Sequence, residues 1–118
     1  MLRLTAEHAD MWNAAWFGGT RLFEERQAEM IAACERAGRD PATLATTVGI
    51  NVVFPHLAEE QAEDLDPDKF LQGSPREIAA GLKAFDDLGV AHAICNPDPS
   101  NAATFSALAE ALAIYRNL

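Results

Sequence analysis

Three histidines, two cysteines and one pair of adjacent glycines are the residues of this chain whose types could carry chemistry. His8, His56 and His92 could each move a proton or ligate a metal. They share no ligand spacing with one another or with the cysteines, and neither a zinc pattern nor a nucleophile elbow occurs. His56 directly follows Pro55 and is the better placed for a site, whereas His92 sits within the apolar text "VAHAIC" and reads as a hydrogen-bonded interior histidine. Cys34 falls on the apolar face of a helical pattern and reads as packed. Cys95, read at a strand end, is the better candidate for a reactive thiol. Gly18 and Gly19, in "WFGGTR", stand between strand-like and helix-like text. Backbone N–H groups at a helix start can hold phosphate. The plainer reading is a loop ending in Thr20 as N-cap.

The charge balance narrows the partners. Eighteen acidic and nine basic side chains give a net charge of −9 over 118 residues. Such a surface repels phosphate backbones and anionic lipid, so neither a nucleic acid nor a membrane is an expected partner. The acids concentrate in residues 55–73, where Glu59, Glu60, Glu63, Asp64, Asp66 and Asp68 face only Lys69. This segment reads as a solvated loop or short surface helix. A calcium loop of the EF-hand kind fails, because Lys69 and Pro75 stand where Gly and Glu are required. No metal is expected. Two unpaired thiols, with no signal segment and no apolar run of membrane length, point to a reducing cytoplasm.

The elements that must position these residues follow one phrase. "GSPREIAAGLKAFDDLGV" starts a helix with Ser74 as N-cap, Pro75 in the first turn and Glu77 closing a capping box. Ile78, Leu82 and Phe85 recur at helical spacing, and Gly89 is a left-handed stop. "VAHAIC" then reads as a strand covered on both faces. Earlier, Arg21 to Ala37 form a helix with Phe23, Met30 and Cys34 on one face, closed by Gly38. It leads through "GRDPAT" into "TTVGINVVF", where Val48, Ile50, Val52 and Phe54 alternate and Pro55 ends the strand. Upstream, Leu2, Ala6 and Ala9 make a short helical face before "DMWNAAWF", whose Trp12 and Trp16 share one side of a strand. Downstream, a helix capped by Asp98 or Ser100 lines its apolar side with Phe105, Leu108, Leu112 and Tyr115. Helix, then strand–helix three times, means parallel strands joined by right-handed crossovers in one α/β domain, residues 1–118.

Three stretches together, "LRLTAEHADMWN", "CERAGRDPATLATTVGINV" and "GSPREIAAGLKAFDDLGVAHAI", resemble in order the C-terminal part of the luciferase-like monooxygenases. These are flavin- or deazaflavin-dependent oxidoreductases built on a (β/α)8 barrel. Met11 departs from the family text, which usually has Gly there. The resemblance implies a partial TIM-type barrel of three strands, where a complete barrel takes about 250 residues. It implies FMN or a deazaflavin as cofactor. The family's reactive histidine or cysteine and most flavin contacts fall on strands outside the matched stretches, so no catalytic residue is carried over. Strand C-terminal ends hold the sites of such barrels. That rule selects Trp12, Asn13, Gly18, Gly19, His56 and Asn96 as rim candidates for cofactor contact.

Three parallel strands expose two edges and one sheet face, and both invite a neighbour. A homo-oligomer is therefore expected. Three functions stay open: a self-associating half-barrel without turnover of its own, an oxidoreductase module whose flavin pocket is completed by oligomerisation or a partner chain, and a small-ligand binder using an apolar cavity between subunits.

Overall fold

One strand organises the sheet. The structure, a computed structural model, describes residues 2–58 and 65–118. The elements run α1 (Leu2–His8), β1 (Met11–Phe17), α2 (Thr20–Arg36), β2 (Ala45–Val53), β3 (Leu71–Gln72), α3 (Pro75–Asp87), β4 (His92–Asp98) and α4 (Ala102–Arg116). Short 3-10 turns at Pro41–Thr43 and Pro55–Leu57 flank β2. The acidic run Glu59, Glu60, Glu63 and Asp64 lies outside the described residues, as does Met1.

All pairings are parallel. β4 borders β2 from Thr47–His92 to Val53–Asp98, which fills one edge of β2 from Thr47 to its end. The other edge is shared. β1 occupies it from Ala45 to Ile50, and β3 takes over at Val52 and Val53. The sequence pattern predicts three strands, and the described residues form four. The extra one is a two-residue pairing too short for any periodicity to mark.

Alternation on β2 decides the layers. Val48, Ile50, Val52 and Phe54 are fully buried against α2, α3 and α4, together with Phe23, Ile78 and Phe85. Phe23 is the hub, with Phe85 edge-on at 5.4 Å, Phe17 edge-on at 5.9 Å and Trp12 stacked at 6.1 Å. Such aromatic pairs add about 0.5–1.5 kcal/mol beyond burial. A smaller cluster of Ala6, Met30, Ala33, Cys34 and Leu44 seats α1 on α2.

Local chemistry sets the helix ends. Ser74 accepts from the Glu77 amide while the Glu77 carboxylate accepts from Ser74, completing the capping box. Gly38 and Gly89, at φ 73° and 87°, take the left-handed conformation expected after α2 and α3. α4 differs from its sequence reading. Asn101 is its N-cap, accepting from the Thr104 amide, because Asp98 still belongs to β4 and the Ser100 hydroxyl donates to the Pro97 carbonyl. Its buried stripe is Thr104, Ala107 and Ala111, so Phe105 and Leu112 face outward. Small residues let α4 lie close on α3, and the larger ones turn away.

Among the described residues, no helix lies on the opposite face of the sheet. β4, read from sequence as buried on both faces, is largely exposed: His92, Ala93, Ile94, Asn96 and Asp98 all meet solvent. His92 is therefore a surface residue at a strand start rather than an interior one. The two tryptophans also separate. The β1–β2 register shifts between Ala14 and Phe17, so Trp12 packs on Phe23 among the helices while the Trp16 ring lies over Gly49 on the bare side. The molecule is a slab of 47 × 30 × 20 Å with a radius of gyration of 15.5 Å. A compact domain of this length would have about 13.5 Å.

Candidate functional site

Parallel strands with returning helices bring three helix starts to one rim, at Gly19–Thr20, Ser74–Pro75 and Asn101–Ala102. Of the candidates from sequence, Gly18, Gly19 and His56 stand at this rim, and Asn96 lies two residues before the end of β4. Trp12 and Asn13 do not. They pair with Thr46 and Thr47 at the start of β2, the far end of the strands from the rim. The sequence reading put them near the mouth because it had no register to show which end of β1 they occupy.

Gly18 is tightly enclosed. A β-carbon there would stand 2.2–2.5 Å from the Phe70 backbone, and its amide donates to the Asp68 carbonyl at 2.9 Å. The turn that covers it is held by Asp66, whose carbonyl accepts from the amides of Lys69 at 3.0 Å and Phe70 at 2.9 Å. The Asp66 carboxylate also accepts from the Asp68 amide at 2.9 Å. Gly19 serves as N-cap residue of α2 with no side-chain cap, so Thr20 opens the helix rather than capping it. The Arg21 guanidinium, in the first turn, donates to both carboxylate oxygens of Asp68. That guanidinium holds the Asp68 carboxyl below the usual carboxylate range, against a smaller opposing effect of desolvation, and Arg21 is raised in return.

On the bare face, a line of amides crosses from strand to strand. Asn96 Nδ2 donates to Asn51 Oδ1 at 3.1 Å, and Asn51 Nδ2 donates to the Lys69 carbonyl at 3.1 Å. Lower down, the Thr47 hydroxyl donates to Asn13 Oδ1 at 2.8 Å. Asn51 has no place in the sequence reading, and Arg21, Asp68 and Lys69 enter it only as a helix start and an acidic segment, not as residues of a site. The signal for Asn51 was present, since it breaks the apolar run "GINVV" at a position that alternates with the buried valines. The partners from 68–69 carry no local signal.

His56 sits in the turn after β2 with its ring edge-on to Phe54 at 6.2 Å. Cys95 is not at a strand end. It lies within β4 opposite Ile50, half-buried among the helix-side residues, and burial pushes its thiol up. A raised thiol supplies less thiolate near neutral pH and is a poor nucleophile. Cys34 is buried in the α1–α2 cluster. Among the described residues, no group of three or more His, Cys, Asp and Glu is arranged to hold a metal, and no helix is long and apolar enough to cross a membrane. A cleft of 440 Å³, bordered by Trp12, Met30, Cys34, Leu44, Thr46 and Leu88, opens at the end of the strands opposite the rim.

Neither a protein-family model nor a curated protein matches the chain. Among solved structures it is similar to an F420-dependent secondary alcohol dehydrogenase in complex with an F420–acetone adduct, with a TM-score of 0.66 at 14% sequence identity. The match covers 98% of this chain and 46% of that one, so the chain spans less than half the length of that enzyme. Likeness at this identity shows the fold: an α/β unit with its strands parallel in one sheet, consistent with part of a TIM-type barrel.

Proposed function

We propose that this chain is a luciferase-like half-barrel that associates with further copies of itself through its bare sheet face and free strand edges, and that it has no turnover alone. One observation carries the reading: among the described residues, helices cover a single side of the sheet. Met11, Trp16 and Ile94 are 55%, 49% and 47% exposed on the face that a closed barrel would turn inward. The outer edges of β1 and β4 have no strand partner among the described residues. That face is nearly free of charge, with Asp98 its lone carboxylate on β4, so little of the net −9 lies where two copies would meet.

A second reading is an oxidoreductase module whose flavin or deazaflavin site is completed by another copy or by a partner chain. The likeness to an F420-dependent enzyme over 46% of its length favours it.

Sedimentation equilibrium in the micromolar range tests the proposal. The expected result is a dimer or larger particle that falls to monomer when Ile94→Asp places a charge on the bare face. A wild-type monomer would remove it. Turnover of a secondary alcohol with added F420 would replace the first reading by the second.

A further inference from the structure

Away from the rim, the 440 Å³ cleft at the opposite end of the strands has no charged side chain among the described residues that border it. On a chain of net −9 this is a local departure from the rest of the surface. Small-molecule pockets occupy about 300–1,000 Å³, and the cleft falls within that range. We infer that the cleft is a binding site, within one chain, for a small uncharged molecule that carries an amide or hydroxyl group on an apolar body.

The apolar wall is held from behind. Met30, Cys34 and Leu44 belong to the buried cluster under α1, and Trp12 is stacked on Phe23 at 6.1 Å. Three polar groups border the same space, each fixed by its element. Gln27 stands three residues before Met30 and four after Phe23, so it shares their inward face of α2. Its side-chain amide donates to the Leu88 carbonyl at 2.9 Å, which ties α2 to the end of α3 and leaves Gln27 Oε1 as a spare acceptor. Thr46 alternates with the buried Val48 and Ile50 on β2, so its hydroxyl stands on the helix side. Among the described residues, neither that hydroxyl, nor Gln27 Oε1, nor the Trp12 indole N–H has a hydrogen-bond partner. All three residues are half-buried, yet none of these atoms is sealed from solvent without a partner, so a ligand can reach them. The cleft therefore offers one donor, one acceptor and one group that is both. A primary amide matches that set, because its carbonyl accepts and its N–H donates. A carboxylate has no proton for Gln27 and meets no cation to offset the loss of water around its charge. The cleft lies on the helix side of the sheet, away from the bare face, so the inference does not rest on self-association.

Two probes of equal size test the choice: 2-naphthamide, which is neutral, and 2-naphthoate, which is anionic at pH 7. Each is titrated into the isotope-labelled chain, reading the indole N–H resonances of Trp12 and Trp16 and the side-chain amide of Gln27. Naphthamide should give saturable shifts at Trp12 and Gln27 with a Kd of about 1 mM or tighter, as a ligand of this size supports, and leave Trp16 unmoved. Naphthoate should bind at least about tenfold more weakly. Gln27→Met removes the acceptor and should weaken naphthamide about fivefold, and Ile31→Asp, at an exposed position on the border of the cleft, should also weaken it. Equal binding of the two probes, shifts confined to Trp16, or no saturable shift up to about 10 mM overturns the inference. Should either variant fail to fold, the amide and carboxylate comparison on the unaltered chain decides. Particle mass separates this result from the association: a monomer that binds naphthamide sinks only the association, and an oligomer that ignores both probes sinks only the cleft. Binding that appears in Ile94→Asp alone would give the cleft to a neighbouring copy and overturns the inference as well.

Discussion

β2 and β4 lie side by side in register, yet they live in different surroundings. β2 is buried along nearly its whole length, while β4 exposes His92, Ala93, Ile94, Asn96 and Asp98. β2 is written almost wholly in apolar or small residues, "TTVGINVV", whereas β4, "HAICNPD", sets His92, Asn96 and Asp98 among its apolar ones. β2 has a strand on each edge and helices over one face. β4 has one neighbour, and α4 after it leans on α3 more than on β4. Composition therefore says how much covering a strand can use, and the neighbours decide how much it gets. The gap between the two strands is the physical content of the half-barrel proposal.

The largest expected effect tests that contrast directly. Phe85 is fully buried and edge-on to Phe23, so Phe85→Ala should cost about 3–5 kcal/mol of folding stability in urea denaturation. Ile94→Ala, on the bare side of β4, should leave the stability of the separated chain within about 0.5 kcal/mol. Comparable losses from the two substitutions at a concentration where the chain is monomeric would mean that β4 is covered after all.

A second pair probes the rim. Gly18→Ala drives a methyl into the Phe70 backbone, a contact with no flexible side chain to yield. Overpacking of this kind costs about 1–3 kcal/mol. Ser74→Ala removes half of a capping box and should cost about 1 kcal/mol by the same denaturation. If Gly18→Ala proved the milder of the two, the 66–70 turn would be only loosely seated on β1.

Much of the frame was legible from residue spacing because its signals are local. Ser74, Pro75 and Glu77 announce a helix start within four positions, and Gly38 and Gly89 announce helix ends on their own. Alternation from Val48 to Phe54 marks a strand face without knowledge of what lies beyond it. The errors share a different origin. Trp16 left the side of Trp12 through a register shift, and only the pairing with β2 reveals it. α4 buries Thr104, Ala107 and Ala111 because α3 is near enough to prefer small residues, whereas hydrophobicity alone favours Phe105 and Leu112. β3 exists because β1 ends and leaves an edge of β2 open. The candidate site fared worst. Its principal contact joins Arg21 to Asp68 across 47 positions, and nothing near either residue announces the other.

That contact also gives the smallest effect and the one with a sign to check. The Arg21 guanidinium lowers the Asp68 carboxyl in the folded chain, chiefly by hydrogen bonding. A depressed carboxyl contributes stability that is fully present above its unfolded value, about 3.9, and is lost as pH falls through the lower folded value. Wild type should therefore be more stable than Asp68→Asn from neutral pH down to about 5, and the gap should close as the pH is taken below the unfolded value. Arg21 is 66% exposed, so the gap is small and shrinks further in high salt. Urea midpoints of the two chains across this range, at low and high salt, supply the measurement. A gap that persists in acid would assign Asp68 to the shape of the turn. A gap that closes assigns it to its charge pairing with Arg21.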